Sequence, residues 1–168
     1  RGFDITVAEQ RHGTIPVVSS SGVSSFHDTA KCFGPGVVIG RKGKLGNAYF
    51  ISGSYWPHDT SLWVKDFHGN EPQFVAMFLR SLKLERFDAA TSVPTLNRNF
   101  VHPLIVAIPQ KIEQISIAER IAAIDQRMSA EHSHLAKLRT LKTGLMQDLL
   151  TGKVRVKVDE AEEVTADV

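Results

Sequence analysis

The sequence predicts an α+β protein: a mixed globular domain followed by a long C-terminal coiled-coil helix. Three observations carry that prediction. Residues 1–110 alternate short β-branched apolar runs with Gly/Pro turns. One stretch within them, Phe74, Val75, Phe78, Leu79 and Leu82, recurs at helical spacing. From Ile117 to Leu150 an apolar ladder runs without a proline, and Gly144 is its only glycine.

The elements follow in order. Ile15-Pro16-Val17-Val18 reads as a short strand, broken by the polar turn Ser19-Ser20-Ser21-Gly22. Gly34-Pro35-Gly36 is a sharp turn into Val37-Val38-Ile39, a buried strand whose partner is Ala48 to Ile51. Between that pair lies a basic, glycine-spaced loop, Gly40 to Gly46. Leu62-Trp63-Val64 reads as another strand. Asn70 has the character of a helix cap, with Pro72 in the first turn of a helix that fades near Phe87. Leu104 to Ile108 reads as a last strand, closed by Pro109. Ser116-x-x-Glu119 has capping-box spacing, so regular helix is expected from there or one turn earlier. Thr151-Gly152 ends it. Val154 to Val158 alternates like a strand, and the acidic tail from Asp159 to Val168 is expected to be mobile. The domain boundaries are therefore 1–110, 111–152 and 153–168.

In the long helix, Ile121 as an a position gives the a and d set Ile121, Ile124, Met128, Glu131, Leu135, Leu138, Lys142, Leu145 and Leu149. Seven of the nine are apolar, so Ile121, Ile124, Met128, Leu135, Leu138, Leu145 and Leu149 are the candidate helix-pairing residues. Glu131 and Lys142 interrupt the seam; polar seam residues cost stability but fix register and partner. From Ser116 to Leu150 the helix would be roughly 50 Å long, more than a small domain needs for its own core. The plainer alternative is an amphipathic helix lying on its own domain.

The net charge is +2. Residues 1–110 carry eleven Lys/Arg against eight Asp/Glu, residues 111–150 six against five, and residues 151–168 three against five. A mildly basic body is compatible with nucleic acid without demanding it. The single cysteine, Cys32, cannot form an internal bridge, and a reducing, cytoplasmic setting suits it. No apolar run approaches the roughly 20 residues that cross a bilayer, and no signal-peptide pattern opens the chain. The chain begins without a methionine, which suggests a piece of something longer.

Enzyme signatures are missing from the sequence. The loop after Ile39 lacks the Gly-Lys-Ser/Thr of a phosphate loop, and Gly34-Pro35-Gly36 lacks the third glycine of a dinucleotide fingerprint. His132 and His134 are two apart, on different sides of a helix, and no cysteine pair exists for zinc. No catalytic or metal-ligating set is expected. A carboxylate nuclease motif is too degenerate to dismiss, but no Asp/Glu-x-Lys triplet ends a strand candidate.

Binding chemistry is better represented. Arg41, Lys42 and Lys44 sit on a loop whose glycines let the backbone approach a partner, and such cations suit DNA phosphates or guanine. Asn97 and Arg98 add side chains that pair with adenine, guanine or phosphate. His58, in an aromatic cluster with Tyr55 and Trp56, and the turn residues Ser20 and Ser21 complete the candidate DNA-binding set. Each has a bland alternative: a solvated basic turn, a core Trp56, and asparagines that merely form a turn.

These residues resemble the type I restriction-modification specificity subunit. The similarity lies in Pro35 to Gly46; in His58 to Val64 with the Phe67-His68-Gly69-Asn70 turn; in Pro94-Thr95-Leu96-Asn97-Arg98 through Ile108-Pro109 to Glu113-Gln114 and Ile117-Ala118; and in Leu145 to Val154. The resemblance implies a target recognition domain followed by a conserved spacer helix. Members typically carry two such units, with spacers paired antiparallel and each domain reading half of a split double-stranded DNA site. The subunit is not itself catalytic. It docks methyltransferase subunits, which hold S-adenosylmethionine, and the assembly recruits restriction (translocase-nuclease) subunits. This chain has one unit only, which fits either the C-terminal half of a longer chain, favoured by a start without the domain's usual opening strand, or a half-length subunit that dimerises. Two other readings stay open: a coiled-coil interaction protein without DNA binding, and the recognition fragment of a fused DNA-modifying enzyme.

Overall fold

The computed structural model describes residues 1–88 and 92–156. Its elements are β1 (Ile15–Ser19), β2 (Gly22–His27), β3 (Gly36–Gly40), β4 (Ala48–Ile51), β5 (Trp56–Pro57), β6 (Ser61–Trp63), α1 (Pro72–Ser81), α2 (Arg98–Val101) and α3 (Lys111–Leu150), with 3-10 turns at Val7–Glu9 and Leu84–Phe87. The chain divides into two compact units, Arg1–Arg120 and Ile121–Val168. The architecture is α+β, sheets plus one long helix.

In the first unit two three-stranded sheets form, in the orders β2-β1-β5 and β4-β3-β6. β1 pairs antiparallel with β2 and parallel with β5, whereas β3 is antiparallel to both neighbours. All five residues of β3 are buried. The period of two explains how. Val37 and Ile39 face a cluster with Ala48, Ala76 of α1, Leu84 and Leu96. Val38 faces the other way, onto Val18 of β1, Cys32 and Tyr55. A strand covered on both faces reads as an unbroken apolar run, which is what Val37-Val38-Ile39 shows. A third cluster, Ile5, Val17 and Trp56, covers the far face of β1. Trp56 is therefore core, and its indole N–H donates to the Phe3 carbonyl at 3.2 Å.

Several sequence expectations need correction. Leu104 to Ile108 forms no strand; Ile105 is fully exposed there and has no ladder partner. Val154 to Val156 is not a strand either, while residues 157–168, with the acidic tail, lie outside the described residues. Asn70 does not cap α1: Glu71 holds that position and Pro72 begins the helix. α1 ends at Ser81, and a separate 3-10 turn reaches Phe87. β2, β5 and α2 went unread, because β2 alternates too weakly and the other two have only two and four residues.

α3 starts at Lys111, so Ser116 lies inside the helix and caps nothing. At 1.5 Å per residue its 40 residues extend about 60 Å. Its buried residues are Gln114 and Ala118. The Gln114 carbonyl oxygen accepts from the Glu71 N–H at 2.8 Å, and its amide donates to Asn70 Oδ1 at 2.7 Å and to the Pro109 carbonyl at 2.8 Å. One amide thus ties the first turns of α3 to the start of α1. No helix among the described residues is long and apolar enough to cross a membrane.

Removing that amide would leave three buried or half-buried polar groups without their partner. Gln114→Ala should cost about 1–3 kcal/mol in urea unfolding. A loss under about 0.5 kcal/mol would show that water replaces the amide freely.

Candidate nucleic-acid interface

The basic loop between β3 and β4 is held by backbone on both sides. The Arg41 and Lys42 N–H groups both donate to the Thr60 carbonyl at 3.0 Å, in the β5–β6 turn. On the other side the Gly43 N–H donates to Pro94 at 2.9 Å, and the Leu96 N–H donates to the Arg41 carbonyl at 2.8 Å. The loop is therefore wedged between residues 58–60 and residues 94–96. Glycine is required at its entrance, since a Cβ on Gly40 would sit 1.9 Å from the Lys44 carbonyl oxygen. Gly43 has φ +77°, the left-handed region that side chains avoid.

This wedge brings together residues far apart in sequence. Arg41, Thr95, Asn97 and Arg98 line one open cleft of about 500 Å³ with Arg1 and Leu62. Asn97 accepts from the Asn99 N–H at 3.0 Å and so caps α2, which makes Arg98 its first residue. Arg41 Nη1 donates to the Asp59 carbonyl at 3.4 Å. Arg1 pairs with the Asp59 carboxylate at 3.4 Å. Lys42, Lys44 and Arg98 form no salt bridge among the described residues. Lys42, Lys44, Asn97 and Arg98 are exposed, and Arg41 is half-buried.

The remaining candidates have other surroundings. His58 is half-buried, and its Nδ1 lies 3.0 Å from Thr60 Oγ1 and 3.1 Å from Asp59 Oδ1. Ser20 is only 8 % exposed. Its N–H donates to Thr60 Oγ1 at 3.4 Å, and its carbonyl accepts from the Tyr49 hydroxyl at 3.4 Å. Ser21, beside it, is exposed at the β1–β2 turn. Ser20 and His58 thus brace the turn that holds the basic loop. Thr60, Asp59 and Thr95 were missed by sequence reasoning; the only signal was Asp59-Thr60 beside His58 in a turn between two strand candidates.

Asp4, His58 and Asp59 also have potential metal-ligand atoms within 4.8 Å of one another. Sequence separation hid this trio. Two of its members already have partners: Arg1 pairs with Asp59, and the Thr60 N–H approaches His58 Nδ1 at 3.3 Å. Cys32 is buried in the core, and burial raises its pKa, so its thiol stays protonated at neutral pH. The arrangement sets the Arg41 and Arg98 guanidinium groups and the Asn97 amide at an open cleft, which is chemistry for phosphate oxygens and base edges.

No family model matches the chain. Among solved structures it is similar to the crystal structure of the type I restriction-modification system S subunit from M. genitalium, with a TM-score of 0.67 and 17 % sequence identity. The alignment covers 96 % of this chain and 43 % of the other. The chain shares the fold of a type I S subunit. It spans less than half of that subunit's length.

Gly40→Ala tests the wedge. The added methyl must displace the Lys44 carbonyl, so stability should fall by about 1–3 kcal/mol in chemical unfolding. Wild-type stability would mean the loop moves aside without cost.

Proposed function

We propose that this chain is the DNA-recognition module of a type I restriction-modification specificity subunit. Residues 1–110 are the target recognition domain, 111–152 the spacer helix, and 153–168 an appended tail. The head reads one half of a split double-stranded DNA site. Arg41, Lys42 and Lys44 contact phosphate or base edges, with Asn97 and Arg98 at the same cleft. Ser21 and His58 are secondary contacts, and Ser20 acts through the fold because its side chain is buried. The observation that carries this reading is the meeting of Arg41, Asn97 and Arg98 on one cleft, in a chain with the S-subunit fold.

The chain performs no chemistry itself in this reading. Methyltransferase subunits dock on it and supply S-adenosylmethionine, and restriction subunits join the assembly, in the cytoplasm. The spacer pairs through Ile121, Ile124, Met128, Leu135, Leu138, Leu145 and Leu149. Exposure of that seam supports the pairing: Ile124 is 60 % and Leu138 49 % exposed in the single chain. The same seam would suit a coiled-coil interaction protein that never meets DNA.

Salt dependence separates the two. Lys42→Ala with Lys44→Ala should lower the slope of log K against log salt by about two, roughly 0.9 for each lost phosphate contact. An unchanged slope would remove this loop from the interface. No salt-dependent DNA binding at all would favour the interaction protein.

A further inference from the structure

The cleft beside the basic loop is lined by three arginines, Arg1, Arg41 and Arg98, and among the described residues by no carboxylate. Asp59 takes up the charge of Arg1. Arg41 and Arg98 form no ion pair among the described residues. Two guanidinium charges therefore share one open cleft, and an anion between them would relieve their repulsion. The Asn97 Oδ1 is used by the Asn99 N–H at 3.0 Å, which leaves its amide N–H groups for a ligand. The Thr95 hydroxyl donates to the Val93 carbonyl at 2.9 Å and has no proton to spare.

The groups free in the cleft are thus donors, so the ligand must accept. Adenine N6 and cytosine N4 are donors in the major groove and do not match. A phosphodiester matches, and so does the O6 and N7 edge of guanine. Shape decides between them. Base edges lie at the floor of a groove about 8.5 Å deep and are met by groups that protrude, whereas the backbone is the ridge of the duplex and enters a cleft. Arg41 does not protrude. It is half-buried, with its N–H on the Thr60 carbonyl, its carbonyl on the Leu96 N–H and its Nη1 on the Asp59 carbonyl.

We propose that this cleft seats one backbone phosphate of the bound duplex, gripped between Arg41 and Arg98 with the Asn97 amide as a third donor, and that it reads no base. This rests on the recognition reading above and names the ligand of its cleft. The seat is blind to sequence and fixes where the neighbouring basic loop lies along the duplex. Asn97 takes no part in adenine readout.

Two measurements on the 168-residue chain test it. In the first, inorganic phosphate is added at constant ionic strength and the arginine Nε–H signals are followed by NMR. Those of Arg41 and Arg98 should shift together and saturate, while that of Arg120 on α3 stays. Equal shifts at all arginines, or none at Arg41 and Arg98, would overturn the seat. In the second, duplexes are selected from a randomised pool by wild type, by Arg98→Ala and by Arg41→Ala with Arg98→Ala. The slope of log K against log salt should fall by about one in the single variant and about two in the double, with the selected motif unchanged. Arg98 is exposed, so the single variant reads the seat even if the double fails to fold. A neutral methylphosphonate linkage is then moved along the selected duplex. At one position it should weaken wild type about tenfold and Arg98→Ala less than about threefold. A guanine lost from the motif in either variant, or no position where linkage and variant share their effect, would overturn the seat and leave the recognition reading standing. Phosphate shifts without DNA binding would sink the recognition reading alone, and neither shifts nor binding would sink both.

Discussion

The candidate interface depends on one carbonyl. Thr60 accepts two N–H groups, from Arg41 and Lys42, and that shared acceptor fixes where the basic loop leaves β3. The loop's one β-bridge, Lys42 to Thr95, is to the segment beside it, so its shape comes from what it is wedged between. Thr60 is held in turn: its N–H and hydroxyl lie against His58 Nδ1, and the hydroxyl also receives the Ser20 N–H. A polar network braces the loop from below, while Pro94 and Leu96 pin it from the far side. Cations positioned this way lose less freedom on binding than cations on a free tip.

β3 makes the arrangement possible. Because both its faces are buried, it cannot shift register without turning an apolar set into the wrong layer. Its C-terminal end, Gly40, is then a fixed point from which the loop departs. A similar economy holds where α3 begins. Gln114 is 2 % exposed and fully engaged, with Asn70, Glu71 and Pro109 as partners. A buried amide that makes three hydrogen bonds, to Asn70, Glu71 and Pro109, specifies one docking of α1 against the start of α3.

Much of this was legible in the sequence. The β-branched run Val37 to Ile39, its partner Ala48 to Ile51, and the long helix α3 announced themselves by period. The basic loop was legible as cations spaced by glycine. What could not be read was convergence. Arg41 and Arg98 are 57 residues apart, and only the wedge of the β3–β4 loop against residues 94–96 puts them on one cleft. Local signals also misled. Asn70 looks like a cap, but its side chain is used by Gln114 and by the Phe67 carbonyl. Leu104 to Ile108 has strand composition, yet composition cannot supply the neighbouring strand that a ladder needs. Ser116 and Glu119 match a capping box in the middle of a helix that Pro109 already allows to start at Lys111.

The proposed function, a head that reads one half of a split site, makes a definite demand on DNA. Mapping methylated adenines in the source genome, with and without this gene, addresses that demand most directly. The proposed function predicts a motif of two specified blocks around an unspecified gap of constant length, and its loss when the gene is removed. Methylation that persists without the gene, or a single continuous motif, would contradict it.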